Sequence, residues 1–130
     1  MWTTPECKWM MSEQILQESF VRYIALKYKG VKYCASLGGI RTSMKQAIKA
    51  KKGGYVAGMP DMQIMSARGG FHGLFIELKT HKGRATKQQK EWINDLVAAG
   101  YYAEVCKGID QAMDCLDTYM KLKQTNVCKC

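Results

Sequence analysis

The apolar residues Ile15, Leu16, Phe20, Tyr23, Ile24 and Tyr28 recur at helical spacing and share one broad stripe. Ser12 stands where a cap is needed and Gly30 where the helix should stop, so the pattern predicts a helix over about 12–29. Residues 31–37 have the β-branched and aromatic character of a strand, broken by Gly38-Gly39. Residues 42–52 read as a short, very basic helix stopped by Gly53-Gly54. Gly58 and Pro60 then force a bend. Two strands follow, over about 61–67 and 73–79, joined as a hairpin through Arg68-Gly69-Gly70-Phe71-His72. A helix from Thr86 to about Ala99 is closed by Gly100. A strand over 101–106 and a last helix over about 109–121 complete the chain. The order α β α β β α β α predicts an α/β fold with a mixed central β-sheet flanked by helices.

The chain of 130 residues is read as one domain, 1–130, with its core at about 12–120 and short termini. Its hydrophobic fraction of 47% is enough for a buried core. No run of about 18 apolar residues occurs, so no membrane span is expected. The first eleven residues contain Glu6 and no apolar segment, which does not read as a secretory signal. The six cysteines are Cys7, Cys34, Cys106, Cys115, Cys128 and Cys130. They show no paired CxxC spacing, which argues against a structural zinc site, and a reducing cytosol is expected. Most are read as small buried apolar residues, and Met59, Met62 and Met65 as core filler.

Charge changes the picture. The formal net charge is +9, and it is not spread evenly. Between Glu18 and Asp61 there is no acidic residue, yet the stretch holds Arg22, Lys27, Lys29, Lys32, Arg41, Lys45, Lys49, Lys51 and Lys52. The remainder carries eleven charges of each sign. The block suggests a surface facing an anion, most plausibly nucleic acid, and the alternative is a solvated face.

The candidate chemistry lies in the neutral remainder. Asp61 and Glu77 straddle Gly69, the middle of the expected turn, so they should lie opposite each other. Lys79 projects from the same face as Glu77, with Phe75, while Leu74, Ile76 and Leu78 point to the core. Two facing carboxylates repel unless a cation separates them, and oxygen donors suit Mg²⁺ or Mn²⁺. The plainer reading is a surface Asp beside a solvated Glu–Lys pair.

These residues carry a resemblance. Gly58-Met59-Pro60-Asp61, Phe75-Ile76-Glu77-Leu78-Lys79-Thr80, Lys82-Gly83-Arg84, Gln89-Lys90-Glu91-Trp92 and Gly100-Tyr101 resemble the VRR-NUC family, a branch of the PD-(D/E)xK nucleases. The likeness spans roughly residues 12–119 and is closest to the stand-alone phage and bacterial type. It implies a restriction-endonuclease-like core. It further implies Asp61 and Glu77 as metal ligands with the backbone carbonyl of Leu78, and Lys79 as the catalytic lysine. Its Glu-x-x-x-Gln pattern on the first helix falls on Glu13 and Gln17. These lie within about 40° of each other near the apolar stripe, while Glu18 sits about 140° from Glu13 and faces water. Both Glu13 and Gln17 are therefore expected to face inward. Gln89 fits the family motif and, equally, a capping box with Thr86. The family's turn after the first strand is matched by Gly38-Gly39-Ile40-Arg41, with Leu37 where an Asn usually stands.

The expected activity is that of a Mg²⁺- or Mn²⁺-dependent endodeoxyribonuclease. By resemblance it would act as a homodimer on branched DNA, especially four-way (Holliday) junctions, in the cytoplasm of a bacterial or phage-infected cell. Arg41, Lys45, Lys49, Lys51 and Gln17 would hold DNA, and Lys82 and Arg84 would hold its backbone beside the helix that starts at Thr86. His72 is read as a loop residue, and His81 as no more than a neighbour of the site. The alternatives are a flap or nicked-duplex nuclease, and a non-catalytic DNA-binding module on a nuclease fold.

Overall fold

The Ser12 hydroxyl accepts the Ile15 N–H at 3.2 Å and starts α1, Glu13–Lys27. The computed structural model describes residues 11–36 and 43–128. Arg41, the 37–42 turn, Cys7 and Cys130 lie outside the described residues. α1 buries Leu16, Phe20 and Ile24, one residue per turn. Tyr23 and Tyr28 flank that stripe, and both hydroxyls donate to Asp117, at 2.6 and 2.5 Å. Ile15 departs from the expected stripe: at the open first turn it stays exposed.

The other elements follow in the predicted order. They are β1 Tyr33–Ala35, α2 Met44–Lys52, β2 Met62–Ile64, β3 Leu74–Lys79, α3 Lys87–Ala98, β4 Tyr102–Lys107 and α4 Gly108–Met120. The sheet order is β1-β2-β3-β4, antiparallel except for the parallel pair β3–β4, which makes it the mixed sheet expected. Every residue of β3 is buried. Leu74, Ile76 and Leu78 join α1 and α4 in the core, with Met62, Ile64, Cys106, Ala112, Leu116 and Tyr119. The Met stretch serves the core only through Met62, since Met65 is exposed and Met59 half-buried. Cys106 and Cys115 are buried, but Cys34 and Cys128 are exposed.

β2 is half the predicted strand. The Phe71 N–H donates to the Arg68 carbonyl at 2.8 Å around Gly69 and Gly70, at φ +59° and +87°, which only glycine adopts readily in succession. The chain around this turn is bonded to the end of the last helix. The Tyr119 hydroxyl donates to the Ser66 carbonyl at 2.6 Å and accepts the Arg68 N–H at 3.3 Å. The Arg68 guanidinium donates to the carbonyls of Met120 and Leu122 at the end of α4. β2 and β3 thus form the expected hairpin, and its connection, closed by the Arg68–Phe71 turn, docks on the last helix.

Candidate active site

Met62 pairs with Ile76, Gln63 with Phe75 and Ile64 with Leu74. One step further along that register sets Asp61 against Glu77. The two are interlocked. The Leu78 N–H donates to Asp61 Oδ2 at 2.8 Å, and the Asp61 N–H donates to Glu77 Oε2 at 3.2 Å. Lys79 Nζ lies 3.5 Å from Glu77 Oε1 and 3.7 Å from Glu13 Oε1. Alternation along β3 brings Glu77 and Lys79 to the face opposite the core, yet they are only 1% and 8% exposed.

They are covered by the segment between α2 and β2. A cavity of about 180 Å³ is lined by Glu13, Tyr55, Ala57, Gly58, Met59, Asp61, Glu77, Lys79 and Gln89. The Trp92 indole N–H donates to the Ala57 carbonyl at 3.0 Å and holds this wall against α3. Gly58 has φ +94°, and a Cβ there would meet Gln88 Cγ at 2.8 Å and Trp92 Cδ1 at 2.9 Å. Only glycine fits both constraints. In the sequence Gly58 signals a bend, while Tyr55 belongs to no motif. An aromatic just after Gly53-Gly54, next to the lysine-rich helix, was the available signal.

The electrostatics follow from the enclosure. Burial first, then the Asp61 charge, pushes Glu77 up to about 7, against the pull of Lys79. Burial also raises Asp61; the Leu78 N–H and Lys79 oppose that rise, while the Glu13 charge adds to it. Three carboxylates meet one ammonium, so two negative charges are unbalanced when all are ionised. Asp61 and Glu77 offer oxygen donors in an enclosed cleft where their mutual repulsion is costly, an arrangement that fits a hard divalent cation.

Glu13 does reach the cavity, but it does not face inward: its side chain is 58% exposed. It is the first helical residue, where α1 projects past its buried face, so the helical angle fixed its direction and not its cover. Gln17 is half-buried on the next turn and is not among the residues lining the cavity. Glu18 is exposed and accepts from Gln14. Gln89 has both of its anticipated positions. Its Oε1 accepts the Thr86 N–H at 2.9 Å in a full capping box, and the residue lines the cavity.

Lys45, Lys49 and Lys51 are exposed on α2, which is closed by its own capping box from Ser43 and Gln46. The Tyr55 N–H donates to the Ala50 carbonyl at 2.9 Å, tying the end of this helix to the cavity wall. Lys82 and Arg84 are exposed between β3 and α3, just before Thr86. His72 stacks edge-on to Tyr101 away from the carboxylates, and His81 packs against Gly108 at the β4–α4 corner.

The comparisons with known proteins agree on the fold. The model of the VRR-NUC domain family matches residues 7–110. A solved structure described as a VRR_NUC domain protein is similar to this chain with a TM-score of 0.76 and 34% identity, over 89% of this chain and 93% of that one. No curated protein matches.

Proposed function

The chain belongs to the VRR-NUC domain family, a nuclease-type domain, and from that membership we propose that it is a metal-dependent, structure-selective DNA endonuclease. The observation that carries the reading is the interlocked Asp61–Glu77 pair, with Lys79 held between Glu77 and Glu13 in one enclosed cavity.

Asp61, Glu77 and the carbonyl of Leu78 would hold Mg²⁺ or Mn²⁺. When bound, such a cation lowers the pKa of water and neutralises charge on a phosphodiester. The residues of the chain supply the rest. Lys79 places a fixed positive charge where negative charge grows on the phosphate, and orients the attacking water. Glu13 and Glu77 hold that ammonium in position. Gln89, fixed by its own cap, offers an amide at the cavity edge. Lys82 and Arg84 take backbone phosphates and set the register of the scissile bond. The lysines of α2 hold the flanking DNA, with Arg41 and Gln17 as further proposed contacts.

The substrate is proposed to be branched DNA, most specifically a four-way junction. A homodimer would place two cavities for two symmetric cuts. Purified protein should cleave an end-labelled junction in Mg²⁺ or Mn²⁺ and not in excess chelator. Flap, nicked and linear duplexes run in parallel separate the substrate classes. Faster cutting of a flap or a nick would replace the junction assignment. Tight binding of every DNA without a cut in either metal would leave a DNA-binding module on a nuclease fold.

A further inference from the structure

A second cluster of metal-binding side chains lies behind the sheet. In β4, Tyr102, Glu104 and Cys106 share one face. The register pairs Ile76 with Glu104 and Leu78 with Cys106, so this is the core face, while Glu77 pairs with Val105 on the other. In α4, Gln111, Asp114, Cys115 and Thr118 recur at helical spacing toward the same place. Together these residues line a cavity of about 300 Å³. One oxygen of Glu104 and the sulfurs of Cys106 and Cys115 all lie within 4.8 Å of one another. Among the described residues this is the set of three so gathered; Glu13, Asp61 and Glu77 are not.

We propose that Glu104, Cys106 and Cys115 bind one thiophilic divalent cation of the zinc type, in a centre separate from the Asp61 cavity. Metal–sulfur bonds of about 2.3 Å put tetrahedral ligand atoms roughly 3.7 Å apart, which the 4.8 Å limit on the present spacing allows. Cys106 and Cys115 are 1% and 7% exposed, whereas Glu104 is exposed at the cavity mouth. The cavity leaves room for a fourth ligand, water or the Asp114 carboxylate. Sulfur donors select Zn²⁺, Co²⁺ or Cd²⁺ over the Mg²⁺ and Mn²⁺ suited to the other face.

Two buried thiols used as apolar filler would have no need of a carboxylate against them. Cation binding displaces thiol protons, so uptake releases protons to the buffer. The place is mechanically apt. β4 turns into α4 without a loop at Gly108, φ +82°, and Lys107, the N-cap residue, makes no side-chain cap bond. A cation joining Cys106 to Cys115 would brace that corner.

The test is Co²⁺ titration of the reduced, full-length protein, followed by displacement with Zn²⁺. One equivalent should give thiolate-to-cobalt charge transfer and the visible bands of tetrahedral Co²⁺, unaffected by excess Mg²⁺. Cys106→Ser and Cys115→Ser should each weaken binding by more than about 100-fold, Glu104→Gln by less, and Cys34→Ser and Cys128→Ser not at all. Zn²⁺ should raise the Tm of the wild type and of the Cys34→Ser and Cys128→Ser variants, and not that of Cys115→Ser. If a serine variant fails to fold, Glu104→Gln and the wild-type stoichiometry still decide. Wild-type protein without charge transfer or a Tm shift overturns the site. So does a Cys106–Cys115 disulfide, found by peptide mass mapping after mild peroxide treatment, in protein that never takes up Co²⁺.

Discussion

Glu77 is the residue on which stability and proposed activity pull in opposite directions. Its carboxyl is held up to about 7, against about 4.5 when unfolded. The folded protein therefore binds a proton more tightly than the unfolded chain between those values. Stability of the metal-free protein should fall as pH rises from about 4.5 through 7, by up to about 3 kcal/mol. Glu77→Gln removes the penalty, so this variant should be the more stable at pH 8 and no more stable than wild type near pH 4.5. Urea unfolding in chelator at the two pH values decides it, and equal stabilities at pH 8 would refute the buried-charge account. Glu13 differs, because its side chain is exposed and its ion pair is with Lys79. Glu13→Ala should reduce cleavage far less than Asp61→Ala; a loss equal to that of Asp61→Ala would place Glu13 among the ligands.

At the scale of elements, the walls of the cavity matter as much as its carboxylates. Gly58→Ala should cost about 1–3 kcal/mol through its positive φ and also displace Gln88 or Trp92, opening the wall and lowering cleavage. Gly54, at φ +104° with open space around it, is the control: Gly54→Ala should lose stability and keep cleavage. Equal activity in both variants would show that the wall does not matter. The pairing of Asp61 with Glu77 was legible because the strand register is symmetric about Gly69, and that position could be found from turn chemistry. The docking of 65–72 was not legible. It depends on Tyr119 and the end of α4, some fifty residues away, which no local pattern announces. Cys106 and Cys115 were likewise read singly, because a strand residue and a helix residue nine apart form no spacing motif. The exposure of Glu13 was hidden too, since a helical angle does not say where the packed face ends.

For the molecule as a whole, charge and chemistry separate along the chain. The excess of +9 resides in the stretch between Glu18 and Asp61, while the charged residues of the cavity all come from the neutral part. Affinity for DNA should therefore follow α2. Lys49→Glu with Lys51→Glu should weaken binding, most at low salt, and flatten the plot of log affinity against log salt. An unchanged slope would return these lysines to a solvated face. The same division makes the central claim separable from affinity. The most direct measurement compares wild type with Lys79→Ala on one labelled four-way junction in Mn²⁺, scoring cleavage and binding side by side. The expected result is a loss of cleavage of at least about 100-fold with binding nearly unchanged. Undiminished cleavage by Lys79→Ala would contradict the assignment of this cavity as the nuclease site.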